Sequence, residues 1–121
     1  MKIPKRILER RRSVRIPENF VFHIGHEDYD VEAVMVNLSA HGTLCLVQHD
    51  IPMMTQLKMA LSLPWTNPNG SKEKSLSVRG VVVRKDIDAS SGKFLIAIFF
   101  SDIKPADKKT LEQFIHSRLN N

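Results

Sequence analysis

From residue 20 onward most of the chain alternates apolar and polar side chains with period two. Phe20, Phe22 and Ile24 flank Val21 and His23, and His26-Glu27-Asp28 supplies a turn. Residues 29–36 are rich in β-branched side chains and predict the returning strand. Residues 43–47 predict a short third strand with Cys45 inside it. Leu57, Met59, Leu61 and Leu63 alternate with Lys58, Ala60 and Ser62, the cleanest half-buried pattern in the sequence. Pro64 is expected to end that strand, because residues 64–74 contain the turn-forming Asn67-Pro68-Asn69-Gly70. Residues 76–84 and 94–100 predict a second hairpin, joined through 86–92.

Six short strands must close or be covered to hide their edges, so the pattern favours a small antiparallel barrel or sandwich. The period then changes. Leu111, Phe114, Ile115 and Leu119 fall on one helical stripe, with Pro105 near its start, Asp107 in its first turn and Arg118 in its last. That helix is expected to cap one open end of the barrel.

Charge adds a feature that periodicity does not show. Residues 1–15 hold seven of the 18 Lys and Arg and one acid, Glu9, leaving 11 basic and 12 acidic residues for 16–121. The net charge of +5 is therefore a basic arm, residues 1–15, on a nearly neutral body, residues 16–121. This distribution points to one localised anion site. Crowded positive charge and little apolar surface predict that the free arm is flexible. The longest apolar runs fall far short of the roughly 20 residues of a membrane helix, so no membrane insertion is expected. Ile7-Leu8 is followed by four charged residues, so no signal-peptide apolar region is read. Cys45 has no cysteine partner, and the chain fits a reducing cytoplasm.

Within the arm, Arg11 and Arg15 are four residues apart, a spacing that shares a face in either a strand or a helix. If extended, their Cα atoms lie about 13 Å apart, at roughly 3.3 Å per residue. Guanidinium offers a fixed fork for phosphate oxygens and a flat face for stacking on a base. A solvated basic tail is the bland alternative. Asn37-Leu38-Ser39-Ala40-His41-Gly42 lies between two predicted strands. Asn37 and Ser39 carry groups that can read a base edge, and Gly42 permits a positive φ or a close backbone approach. By itself the segment reads as a tight turn, because Asn, Ser and Gly dominate turns for reasons of their own.

Together, Arg11-x-x-x-Arg15 and Asn37-x-Ser39-x-x-Gly42, about 20 residues apart with a hairpin between, resemble the paired RxxxR and (D/N)xSxxG signature of PilZ domains. Residues 57–64 are similar to that family's hydrophobic strand ending in proline. Residues 76–84 resemble its "v-x-G-x-V-v-r" strand, and residues 93–100 with the terminal helix resemble its closing segment. The resemblance covers about residues 9–119. It implies a mainly β fold: a six-stranded antiparallel β-barrel with a C-terminal α-helix, binding the bacterial second messenger cyclic di-GMP. It further implies that Arg11 and Arg15 hold phosphates and stack on guanine, while Asn37, Ser39 and Gly42 read the ligand from the barrel. Arg10 matches the arginine that often precedes the motif and is expected to reach a second, stacked ligand.

Two departures stand out. Asn37 replaces the commoner aspartate and offers one acceptor oxygen where a carboxylate has two, which weakens guanine contacts. Ala97 stands where glycine is usual. The implied role is that of a non-enzymatic effector or adaptor, needing no cofactor, whose ligand clamps the arm onto the barrel and creates a surface for a downstream protein in motility, biofilm or exopolysaccharide control. Two other readings fit the chain less well. An OB-like barrel binding single-stranded nucleic acid through the arm would need a positive, aromatic-lined groove, whereas the body is neutral and only 7% of residues are aromatic. Adaptors of this family that bind only protein partners usually lack the arginine motif, which this chain has. No specific nucleic acid is expected as partner. The five histidines show no ligand spacing for a metal, and Ser39 with His41 has no orienting acid for nucleophilic catalysis.

Overall fold

Residues whose side chains alternate in burial form the strands, and the ring closes because the strands at its two ends pair with each other. The computed structural model describes residues 14–26, 29–67 and 70–119. It contains β1 (Ile16–Pro17), β2 (Val21–His26), β3 (Tyr29–Leu38), β4 (Gly42–Val47), β5 (Gln56–Asn67), β6 (Gly70–Ile87), β7 (Phe94–Ile103) and the helix α1 (Pro105–Leu119). The sheet order is β1-β3-β2-β5-β6-β7-β4, and β4 also pairs with β3. β2 to β7 therefore form a closed six-stranded antiparallel barrel, with one C-terminal helix. Closure removes the edges that a flat sheet of this size would expose.

The inward positions match the period-two pattern. Phe22 and Ile24 on β2, Val31, Ala33 and Met35 on β3, Leu57, Met59, Leu61 and Leu63 on β5, and Ile96 and Ile98 on β7 are all buried. Full burial of one such side chain contributes about 1.5–3 kcal/mol. Cys45 is wholly buried, and burial pushes its thiol up to about 12, so it is an unreactive core residue.

Three expectations need correction. Pro64 does not end its strand: β5 runs on to Asn67, and β6 pairs with it as far as Gly70 opposite Asn67. The reason is local. β2 covers β5 only at Lys58–Ala60, and Arg118 Nη2 donates to the Pro64 carbonyl at 3.2 Å. A residue's N and C=O share one side of a strand, so the missing N–H of Pro64 lies on the edge away from β6 and the hairpin loses nothing. Secondly, the two-residue strand β1 escaped the periodicity altogether. Thirdly, Leu119 is half exposed; Leu111, Phe114 and Ile115 alone form the buried stripe of α1. The helix packs on β1 and β6. The proposed basic arm, with Arg10 and Arg11, lies outside the described residues except for its last two positions, Val14 and Arg15.

Candidate functional site

Ile16 is the anchor that places Arg15. Its side chain enters the core, 3% exposed, so its neighbours Arg15 and Pro17 must point outward. β1 runs antiparallel to the end of β3, with Ile16 opposite Leu38 and Pro17 opposite Asn37. Arg15 thereby lands on the outer face beside Asn37, and its Nη1 donates to Asn37 Oδ1 at 2.9 Å. Two segments 22 residues apart in sequence meet in one hydrogen bond.

A β-bulge turns Asn37 toward that bond. On β3 the register against β4 shifts between Met35, opposite Cys45, and Asn37, opposite Leu44. Val36 is the extra residue and is exposed. Such bulges re-aim a side chain at the price of one unpaired position. The bond to Arg15 uses one lone pair of Asn37 Oδ1, so this side chain has a second lone pair and its N–H donors left to offer a ligand.

Ser39 and Gly42 build the turn between β3 and β4. Ser39 is 1% exposed, and its Oγ accepts from the main-chain N–H of His41 and of Gly42, both at 3.2 Å. The hydroxyl also donates to the Gly42 carbonyl at 3.3 Å, and Ser39 N–H donates to the same oxygen at 2.9 Å. In this structure its hydrogen-bonding capacity is spent inside the turn, where the sequence suggested a group free to read a base. Gly42 has no positive φ; among the described residues only Gly92 and Met54 do. The glycine is needed because β7 passes too close for a side chain: a Cβ there would stand 2.4 Å from the Ile98 carbonyl oxygen. Phe100 N–H donates to His41 O at 2.8 Å and Thr43 Oγ1 donates to Asn37 O at 2.7 Å, which fixes the turn to β7 and to β3.

The end of α1 completes the surroundings, a contribution that the sequence did not signal. A shallow groove of about 200 Å³ is lined by Val14, Ala40, Glu112, Ile115, His116 and Leu119. It lies beside the turn and the segment carrying Arg15. The arrangement can present a guanidinium, amide donors and an apolar groove to an anion with a flat hydrophobic part. Among the described residues no group of His, Cys, Asp and Glu is placed to hold a metal ion. No helix among them is long and apolar enough to cross a membrane.

A β-barrel with a C-terminal helix, an arginine on its outer rim and an Asn-x-Ser-x-x-Gly turn beneath it defines one class of protein. The PilZ domain family model matches residues 9–117, and the chain belongs to that family. Among solved structures, the Bacillus subtilis inhibitor of motility MotI/DgrA is similar at a TM-score of 0.76 and 22% identity, over 91% of this chain and 52% of that one. The PilZ domain of Escherichia coli YcgR with c-di-GMP is similar at a TM-score of 0.62 and 16% identity, over 92% of each chain. YcgR in complex with c-di-GMP is similar at 0.60 and 15%, over 92% of this chain and 46% of that one. These likenesses establish the fold, and the chain spans about half the length of MotI/DgrA. The comparison with curated proteins returns no match.

Proposed function

We propose that the chain is a cyclic di-GMP receptor that acts as an effector on another protein and catalyses no reaction. The observation that carries this reading is the Arg15–Asn37 hydrogen bond, which brings one arginine of the RxxxR motif onto the first residue of the Asn-x-Ser-x-x-Gly turn. The family membership and the YcgR structures, whose descriptions name c-di-GMP, support the choice of ligand. Arg11 and Arg15 bind phosphate oxygens and stack on guanine. Asn37 Oδ1 accepts from the guanine edge through its remaining lone pair, while Ser39 and Gly42 hold the turn in the shape that receives it. Arg10 reaches a second, stacked ligand.

Residues 1–15 serve as the movable half of the site and the barrel as the fixed half. Closing one on the other makes a composite surface of arm, ligand and barrel for a partner protein. The description of MotI/DgrA as an inhibitor of motility favours control of motility as the output. Titration calorimetry tests the site. Arg11→Ala and Arg15→Ala each remove charge-assisted bonds worth about 1.5–3 kcal/mol, or roughly tenfold or more in affinity. Asn37→Asp supplies a second acceptor oxygen and tightens binding. Wild-type affinity surviving in both arginine variants, with the fold intact by circular dichroism, overturns the reading, as does tighter binding of a single-stranded oligonucleotide.

A further inference from the structure

On the wall of the barrel opposite the candidate site, β5 and β6 place Lys58 directly across from Arg79. Both side chains are exposed. Like charges directly opposite on a sheet destabilise it, so the pair is a local conflict, and its neighbours do little to relieve it. On one side Lys58 faces Gly25 of β2, which has no side chain; on the other Arg79 faces Asp102 of β7. Lys104 follows two residues after Asp102, just before α1. Among the described residues no carboxylate lies within ion-pair distance of Lys58, Arg79 or Lys104.

The missing side chain at Gly25 also shapes the surface. A Cβ there would meet nothing closer than the Lys58 main-chain oxygen at 3.6 Å, so packing does not demand glycine. Two adjoining clefts of about 680 and 410 Å³ open along this wall, and both are lined by Lys58, Arg79 and Asp102. Lys104 lines the second.

We infer that this trough is a docking site for an acidic, extended segment of a partner protein. The inference rests on the reading of the chain as an effector and names the chemistry of the partner. Among the described residues that line it, three cations against one carboxylate fix the sign. At Lys58 and Arg79 both β5 and β6 pair with a strand on each side, so the main-chain N–H groups beneath these two cations are committed to ladders. Ser101, at the register shift between Arg79 and Gly80, has no partner across the ladder. The trough therefore offers side-chain charge spread across several strands, with no cluster of free N–H groups at one point. That suits carboxylates spaced along a peptide better than one compact phosphate. Asp102, inside the trough, disfavours a densely charged ligand and sets the register of a sparsely acidic one.

The test is an NMR titration of the isotope-labelled full chain at low salt with a short Glu-Gly repeat peptide. Its Gln-Gly counterpart and inorganic phosphate serve as the other arms. The trough predicts shifts centred on Lys58, Arg79 and Lys104 that fade as salt rises and are absent with the Gln-Gly peptide. Lys58→Glu should weaken the peptide about tenfold, as loss and reversal of rim charges does, without lowering the unfolding midpoint, because Glu faces Arg79. Gly25→Glu should weaken it likewise. Both variants keep wild-type binding of cyclic di-GMP. Shifts confined to residues 1–15, no shifts at all, affinity indifferent to Lys58→Glu, or equal shifts with phosphate at equal concentration would overturn the inference. A wild-type chain that binds the peptide in the trough but not cyclic di-GMP would instead retire the proposed ligand and leave the trough standing.

Discussion

Gly42 and Ser39 act on the fold before they act on any ligand. The 2.4 Å approach of a would-be Cβ to the Ile98 carbonyl is an approach to backbone, which cannot swing aside as a side chain could. Gly42→Ala must push β4 from β7, and it should cost about 1–3 kcal/mol, the scale of an overpacked core, read as a lowered urea midpoint. An unchanged midpoint would mean that the strands separate freely. The motif letters were legible in the sequence, but their physical roles were not. The sequence gives no means of seeing that β7 passes over residue 42, nor that the hydroxyl of Ser39 is consumed by its own turn. Asn37 differs again: its polarity suggested a group that reads a base edge, and in the structure its side chain meets Arg15.

At the scale of elements, Arg118 joins three parts of the molecule. Its Nη2 donates to Pro64 O on β5, its Nε lies 3.2 Å from Glu18 Oε2, and its guanidinium sits 4.8 Å from the Phe114 ring centroid. Glu18 is only 12% exposed, so this pair is screened less than a surface one. The Nε has no well-aligned acceptor, and the contact is chiefly electrostatic. Arg118→Met keeps the apolar stem but removes the one cation that pairs with Glu18 among the described residues. It should cost about 1–3 kcal/mol, in the range for a buried group losing its charged partner, and an equilibrium urea titration measures it. No loss of stability would mean that α1 is held by Leu111, Phe114 and Ile115 alone. The same residue explains why the strand boundary at Pro64 was misread. A proline is a sound stop signal only where a neighbouring strand needs its N–H, and here the neighbour on that side is a helix residue. β1 was illegible for a simpler reason, because two residues have no period. Its existence depends on Ile16 finding the core and on β3 extending beyond β2.

For the molecule as a whole, alternation and the final change of period showed strands and a terminal helix but left a barrel or a sandwich open. The family resemblance implied the barrel, and the β3–β4 pairing closes it. What could not be read was the division of its wall. The β3–β4 side carries Arg15, Asn37 and the turn, while the opposing β5–β6 side carries the Lys58–Arg79 conflict. The two proposals together place a small ligand and a protein segment on opposite walls of the barrel, where they would not touch. The central claim is narrower: cyclic di-GMP draws residues 1–15 onto the turn at 37–42. Amide hydrogen exchange on the full chain, with and without saturating cyclic di-GMP, tests it most directly. The account predicts protection across residues 6–15 that appears only when the ligand is present, with the core strands unchanged. Protection of those amides already complete without ligand, or none at saturation, would contradict it even if the ligand binds.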